Sequence, residues 1–363
     1  MKKISNPFRN SDQPVVSSQI DPIVDDPSLV LELLAKCPAA QETPLAELPG
    51  IAADLGIGRL LIKDERGRMG LGSFKALGAT FAIAKAAHQK IGDQIANPQL
   101  AKSALAGQTY VAATAGNHGI SVAAGARVFG ARAVIYIAET VPESFAARLR
   151  GQGAEVHRGG ADYAASLTAA KRAADENGWQ LLSDTSWPEY QDMPRDVMEG
   201  YLAMAAEIVA QAAKLNARPS HIFLQAGVGG LAAAVAVHLR KMWGQSLLIF
   251  VVEPGAAPAL QASILAGAPV IAPGPVSNMG RLDCKEPSHL ALQALARAAD
   301  GFLTVSDDEA VALIADLAAC GMATSPSGGA GYAALKLACD DDEFGLGPDS
   351  SALLILSEGP ADD

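Results

Sequence analysis

The sequence has few cysteines, with only four in 363 residues. Cys37, Cys284, Cys320 and Cys339 are far apart along the chain, and no two of them form a CxxC pair. This spacing argues against a zinc site and against a disulfide framework. We therefore expect a protein without bound metal that works in a reducing compartment, the cytoplasm.

Positive charge and long apolar runs are also scarce. The chain carries 28 lysines and arginines against 39 aspartates and glutamates, a formal net charge of −11, and no basic stripe interrupts this excess. A nucleic-acid partner would be repelled. No stretch reaches the roughly 18 uncharged apolar residues that a membrane span needs, and no apolar stretch follows the basic N-terminus. We expect neither a nucleic-acid nor a membrane partner.

Short apolar runs alternate with alanine-rich stretches of helical periodicity. The predicted strands are 59–63, 109–113, 132–137, 221–224, 247–252 and 351–356. The predicted helices are 117–129, 161–176, 193–214, 229–242 and 307–319. Strands buried on both faces and separated by helices indicate an α/β fold with parallel sheets. Ligands bind beyond the carboxyl ends of such strands, so the segments that follow them are the candidate sites.

The segment TYVAATAGNHGIS, residues 109–121, is a strand that turns into a helix. Backbone N–H groups at the turn, together with the helix dipole, favour binding of a carboxylate or phosphate there. His118 lies in the first turn of this helix, where it is either a catalytic base or a structural hydrogen-bonding group.

The segment HIFLQAGVGGLAAA, residues 221–234, predicts a second anion site. Its glycines allow the backbone to close around a phosphate. A dinucleotide site is an alternative, because Gly227, Gly229 and Ala232 match that fingerprint and Glu253 ends the next strand where an acid for the ribose is expected. The segment alone does not decide between them.

Two further segments carry candidate chemistry. In LGSFKALGAT, residues 71–80, Lys75 follows the aromatic Phe74 where a helical pattern begins. In LLILSEGPADD, residues 353–363, a buried strand ends at Ser357, Glu358 and Gly359. Taken singly, the lysine is typical of a solvated helix residue and the serine of a polar turn.

Together, SFK, GNHG, GVGG and SEG resemble the pyridoxal-phosphate enzymes of the tryptophan-synthase β-subunit type, fold type II. The resemblance implies that Lys75 forms the Schiff base with the cofactor. It implies cofactor-binding roles for Phe74, Lys75, Asn117, Gly227, Val228, Gly229, Gly230, Leu231 and Ser357. It implies that the substrate carboxylate binds Thr114, Ala115, Gly116, Asn117 and His118. Either Ser357 or the neighbouring Glu358 would face the ring nitrogen.

The resemblance also implies two domains, each a mainly parallel sheet flanked by helices, and a homodimer. The large, cofactor-binding domain would comprise residues 1–105 and 182–363. The small domain, residues 106–181, would carry the loop for the substrate carboxylate.

Within this superfamily the segment LLSDTSWPEYQDMPRDVMEGYLAMAAEI, residues 181–208, is similar to diaminopropionate ammonia-lyases, where an Asp-Thr-x-Trp motif carries an acidic base. This implies β-elimination from L-2,3-diaminopropionate to pyruvate and ammonia, with Asp184 or the freed Lys75 as the Cα base. Alternatives are a serine, threonine or 3-hydroxyaspartate dehydratase, and a non-catalytic binding protein, although the latter would be expected to lack the lysine.

The chain departs from the lyase pattern at two places. Ala115 stands where the lyases have an aspartate that serves the D-isomer. In GRLDCKEPSH, residues 280–289, Arg281 and Lys285 are either solvated cations or ligands for a second substrate carboxylate. The reaction type therefore follows more firmly from the sequence than the substrate does.

Overall fold

The computed structural model describes residues 1–11, 13–16, 20–114 and 116–360. Ala115 therefore lies outside the described residues. The strands are β1 Lys2–Ser5, β2 Leu45–Glu47, β3 Arg59–Asp64, β4 Thr109–Ala113, β5 Arg132–Ile137, β6 Glu155–Arg158, β7 Gln180–Leu181, β8 His221–Gln225, β9 Leu248–Pro254, β10 Gly301–Val305 and β11 Ser351–Leu356.

Helices connect most of these strands. The α-helices are α1 Ser28–Ala35, α2 Pro49–Asp54, α3 Gly78–Ile91, α4 Pro98–Ala101, α5 Asn117–Phe129, α6 Glu143–Gly151, α7 Tyr163–Asn177, α8 Asp192–Gly200, α9 Leu202–Lys214, α10 Gly230–Trp243, α11 Ala259–Ala266, α12 His289–Ala298, α13 Asp307–Leu313, α14 Ala315–Ala319 and α15 Ala330–Cys339. Short 3₁₀-helices lie at Glu65–Gly70, Phe74–Leu77, Gly92–Ala96 and Asp342–Phe344.

The strands form two sheets. One has seven strands in the order β1-β10-β9-β8-β11-β3-β2, and the other has four in the order β6-β5-β4-β7. All pairings are parallel except those of the two edge strands of the larger sheet, β1 and β2. The α/β fold with mainly parallel sheets flanked by helices is thus confirmed.

Both faces of the larger sheet are buried. Leu61 of β3 belongs to one hydrophobic cluster, whereas its neighbours Leu60 and Ile62 belong to another on the opposite face, and all three are fully buried. Successive side chains of a strand point to opposite faces, so continuous apolar runs are required where helices cover both sides. This burial explains why the core strands were recognisable as uninterrupted apolar segments.

The differences from the predicted elements concern short pieces and breaks. The predicted helix 193–214 is two helices, α8 and α9, that meet at Tyr201, and 307–319 is also divided, into α13 and α14. The edge strands β1, β2, β6 and β7 carried too few apolar residues to be detected. No helix in the described ranges combines the length and apolarity needed to span a bilayer.

A buried cluster of four charged side chains supports the segment that leads to Lys75. Arg68 and Glu65 are fully buried, as is Lys63, and Glu207 of α9 is nearly so. Arg68 donates to both carboxylates, at 2.6 to 2.8 Å, and Lys63 Nζ donates to Glu207 Oε2 at 2.6 Å. The two cations balance the two anions, which buried charges require.

Buried histidines make the stability depend on pH. Burial lowers the pKa of His118, His221 and His289 below the ordinary value near 6.5. The unfolded chain then binds more protons than the folded one below about pH 6.5, so the free energy of unfolding should decline as the pH falls through this value and should be insensitive to these groups above it.

These histidines should lower the melting midpoint between pH 7.5 and 5, so over this range the midpoint of His221→Gln should fall less, or rise more, than that of the parent protein. The ring of His221 bonds to the carbonyl of Phe344 at 2.9 Å, an interaction that a glutamine amide can also make. A steeper decline in His221→Gln would contradict the assignment.

Candidate active site

Lys75 and Asp184 form an ion pair beyond the carboxyl ends of β3 and β7. Lys75 lies in the 3₁₀-helix Phe74–Leu77 that follows β3, and Asp184 lies three residues after β7. Lys75 Nζ donates to Asp184 Oδ2 at 2.5 Å, and each side chain retains 21% of its exposure. The sequence analysis predicted both residues, and the fold brings them together across 109 positions of sequence.

Each member of this pair shifts the pKa of the other. Burial by itself would lower the pKa of Lys75, but the Asp184 carboxylate outweighs it and holds that pKa well above its usual range. Burial would raise the pKa of Asp184, but the Lys75 ammonium holds it well below the usual range. A free lysine is therefore protonated and Asp184 ionised at neutral pH.

The loop that carries Asp184 is fixed on both sides. On one side the Tyr190 hydroxyl accepts from the N–H of Ser183 at 3.1 Å and donates to the carbonyl of Leu181 at 2.7 Å. On the other side the hydroxyls of Ser186 and Ser288 bond at 2.7 Å. These contacts orient the Asp184 carboxylate without using its own oxygens.

Aromatic rings enclose the lysine. Lys75 Nζ lies 5.3 Å from the centre of the Phe74 ring, and this ring packs against Tyr201 with centroids 4.9 Å apart. A Cβ at Gly78 would come within 2.7 Å of the Tyr201 ring, so only glycine allows this approach. Burial raises the pKa of Tyr201 to about 12, and the hydroxyl is buried without a hydrogen-bond partner in the described structure. Sequence reasoning missed Tyr201 because nothing local distinguishes it from an ordinary core tyrosine.

The predicted carboxylate loop ends at the N-terminus of α5. Gly116 is the N-cap and makes no side-chain cap bond, so first-turn N–H groups of this 13-residue helix remain available to an anion. Thr114 Oγ1 accepts from the N–H of Gly116 at 3.2 Å and thereby shapes the turn. Asn117 Nδ2 donates to Glu358 Oε2 at 2.5 Å.

His118 is buried, and its Nε2 bonds to the carbonyl of Leu182 at 2.9 Å. Since a carbonyl only accepts, Nε2 carries the hydrogen. Burial lowers the pKa of the imidazole, so the ring is neutral at pH 7. This geometry favours a structural hydrogen-bonding role over that of a base.

The glycine loop follows β8 and opens α10. Gly229 is the N-cap of this helix, has φ +101° and makes no side-chain cap bond. A Cβ at Gly227 would lie 3.0 Å from Cys284 Sγ, and one at Gly229 would lie 2.9 Å from the side chain of Ala291. The carbonyl of Val228 accepts from the N–H of Ser288, and Leu231 is buried in the first turn. The first-turn N–H groups of α10 therefore remain available to an anion.

The dinucleotide alternative for this loop is wrong. Glu253 is fully buried, and its two carboxylate oxygens accept from the N–H groups of Leu260 and Gln261 at 2.7 and 2.8 Å. Both oxygens thus bind the start of α11, where they are not accessible to a ribose. The spacing from the glycines matched the fingerprint by coincidence.

Ser357 and Glu358 follow β11 beside the segment that carries Lys75. The carbonyl of Ser357 accepts from the N–H of Phe74 at 3.0 Å. The Glu358 carboxylate accepts from Asn117 and from Ser325 Oγ, and the Ser325 contact was missed by the sequence analysis. Glu358 therefore reaches the amide that the resemblance assigns to the cofactor ring.

The loop before α12 supplies three more side chains. Cys284 lies against Gly227, and burial raises the pKa of its thiol to about 12. Lys285 Nζ donates to the carbonyls of Ala256 and Pro275 and to Asp283. Lys285 is therefore neither the solvated cation nor the ligand for a substrate carboxylate that the sequence analysis considered. Arg281 reaches the carboxylate loop, where its Nη1 lies 3.4 Å from the position of a Cβ at Gly116.

Comparison with known proteins agrees with this geometry. A model of the family described as pyridoxal-phosphate dependent enzyme matches residues 37–358. Diaminopropionate ammonia-lyase of Salmonella typhimurium is 34% identical over 290 residues, covering 77% of this chain and 72% of that protein. A crystal structure of diaminopropionate ammonia lyase from Escherichia coli with D-serine superposes with a TM-score of 0.88 at 28% identity, covering 99% of this chain and 93% of that one. The same enzyme in complex with an aminoacrylate-PLP azomethine reaction intermediate gives a TM-score of 0.86 at 28% identity and the same coverage.

Proposed function

Since this chain belongs to the family of pyridoxal-phosphate dependent enzymes, we propose that it is an ammonia-lyase that converts L-2,3-diaminopropionate and water to pyruvate and two molecules of ammonia. The observation that carries the proposal is the ion pair between Lys75 and Asp184 at the carboxyl ends of the strands. The likeness to diaminopropionate ammonia-lyases from two bacteria supports the choice of reaction.

The residues present suit the cofactor. A Cβ at Gly227 would press against Cys284 and the backbone of Arg281, so glycine is needed for the path of this loop, and the uncapped N-terminus of α10 behind it is complementary to a phosphate. The Lys75 ammonium keeps part of its exposure beside an aromatic ring, as a covalent attachment point requires. The proposal assigns the cofactor to Lys75, Phe74, Asn117, Ser357 and the loop Gly227, Val228, Gly229, Gly230 and Leu231.

When bound, pyridoxal phosphate supplies an electron sink for the pair left on Cα. The N–H groups at the start of α5 bind the substrate carboxylate and fix the orientation of the Cα–H bond. Asp184 removes the Cα proton, and its position beside Lys75 Nζ lets the two groups exchange a proton. The β-amino group then leaves as ammonia, and water hydrolyses the released unsaturated product to pyruvate and the second ammonia.

Borohydride reduction of the purified holoenzyme tests the assignment of Lys75. Reduction makes the lysine–cofactor linkage permanent, and peptide mapping should then find the label on Lys75. Lys85, which is paired with Asp196 at 2.5 Å, is the matched control and should carry none. A label on another lysine, or a colourless protein that binds nicotinamide nucleotides, would contradict the proposal.

The proposal extends to the setting of the enzyme. We place it in the cytoplasm as a homodimer, and we retain the division into a large domain, residues 1–105 and 182–363, and a small domain, residues 106–181. The four-stranded sheet is built from β4 to β7, which supports this division. The scattered cysteines support the reducing compartment.

A further inference from the structure

Arg281 places an unsatisfied guanidinium beside the carboxylate loop. Its side chain is 36% exposed, and none of its side-chain N–H groups has a hydrogen-bond acceptor among the described residues. It forms an ion pair with Glu358, in which Nε and Oε2 are 3.6 Å apart without a hydrogen bond, and its guanidinium carbon lies 5.2 Å from the centre of the Phe145 ring. Arg281 thus contacts groups from three separate segments while its donors remain available.

The other charged side chains of the candidate site already have hydrogen-bond partners. Lys75 pairs with Asp184, and Lys285 is held by two carbonyls and Asp283. The Glu358 carboxylate receives hydrogen bonds from Asn117 and Ser325. Of the three cations Lys75, Lys285 and Arg281, all within the described ranges, Arg281 is the one whose donors are left for a ligand.

The α-carboxylate of an amino acid does not require this arginine, because the N-terminus of α5 already supplies backbone N–H groups. A guanidinium matches a further carboxylate by its planar pair of donors. Such a group would also need local positive charge to enter a protein of net charge −11.

We infer that Arg281 binds a second carboxylate of the substrate, so that the preferred substrates are β-substituted amino dicarboxylic acids. The inference rests on the proposed ammonia-lyase reaction and adds to 2,3-diaminopropionate, which has one carboxylate, a preferred class of substrates with two. For 2,3-diaminosuccinate the same elimination releases the β-amino group as ammonia. Hydrolysis of the released product by one water then gives oxaloacetate and a second ammonia.

Ligand titration of the holoenzyme tests this role without turnover. L-Aspartate and L-alanine lack a β-leaving group and differ by one carboxylate, and the cofactor absorbance reports their binding. Aspartate should bind about ten- to a hundredfold more tightly, the range expected for hydrogen bonds to a charged group. Arg281→Gln should abolish this preference, whereas Lys285→Gln should retain it because Lys285 points at carbonyls.

Two results would overturn the inference. One is equal affinity of the parent protein for aspartate and alanine; the other is an equal loss of both affinities in Arg281→Gln, which would assign the arginine to the α-carboxylate. Measuring ammonia release distinguishes failure of the Arg281 inference from failure of the proposed function. If neither 2,3-diaminopropionate nor 2,3-diaminosuccinate yields ammonia, the ammonia-lyase assignment is wrong. If 2,3-diaminopropionate is converted but aspartate binds no more tightly than alanine, only the role of Arg281 is wrong.

Discussion

Replacing Asp184 by asparagine is expected to lower the turnover of L-2,3-diaminopropionate about a hundred- to ten-thousandfold, the usual cost of losing a positioned general base. The amide keeps the shape of the side chain, and the loop around it is held by Tyr190 and by the Ser186–Ser288 pair rather than by the carboxylate. Release of pyruvate, measured at saturating substrate, gives the size of the effect.

The same variant should still attach the cofactor to Lys75, which borohydride labelling can verify and which separates lost catalysis from lost folding. Because the Asp184 carboxylate raises the pKa of Lys75, its removal should also make the lysine easier to deprotonate. Near-normal activity of Asp184→Asn would assign the proton transfer to Lys75 alone.

Stereochemistry gives an independent check on Asp184. The sequence has alanine at position 115, where the resemblance to the lyases implies an aspartate that serves the D-isomer. With Asp184 as the acidic base, the parent protein should convert the L-isomer far faster than the D-isomer. Comparable rates for the two isomers would refute the assignment.

Replacing Arg68 by methionine should lower the free energy of unfolding by about 3–5 kcal/mol, because it leaves Glu65 and Glu207 buried with one cation between them. Both carboxylates accept hydrogen bonds from the Arg68 guanidinium, and the side chain is fully buried. Urea denaturation followed by circular dichroism measures the loss.

Arg59→Met is the matched control for this experiment. Arg59 pairs with Glu47 at 2.7 Å, but the two side chains are 29% and 34% exposed. Partly exposed pairs contribute less than about 1 kcal/mol. Equal losses of unfolding free energy in the two variants would show that the buried Arg68 cluster stabilises the fold no more than a partly exposed ion pair does.

The fold class, and the residues whose roles depend on their immediate neighbours, could be predicted from the amino-acid sequence alone. Strands buried on both faces must be continuous apolar runs, so the strands β3, β4, β8 and β11 could be predicted from the sequence. The glycines before α10 directly follow such a strand, and the conformation of a strand-to-helix turn is decided within a few residues. Lys75 was recognisable from its neighbour Phe74 at the start of a helical pattern.

Contacts between side chains that are far apart in the sequence could not be predicted and became known from the folded structure. Glu253 has the spacing of a ribose-binding acid, but the approach of α11 buries it and satisfies both its oxygens. Lys285 and Arg281 are equally plausible cations in one loop, yet only Lys285 reaches backbone carbonyls. Contacts of this kind depend on how whole helices and strands pack together, and no local pattern of residues predicts that packing. The position of Arg281 opposite Gly116, a residue far from it in the sequence, therefore became visible only in the folded molecule.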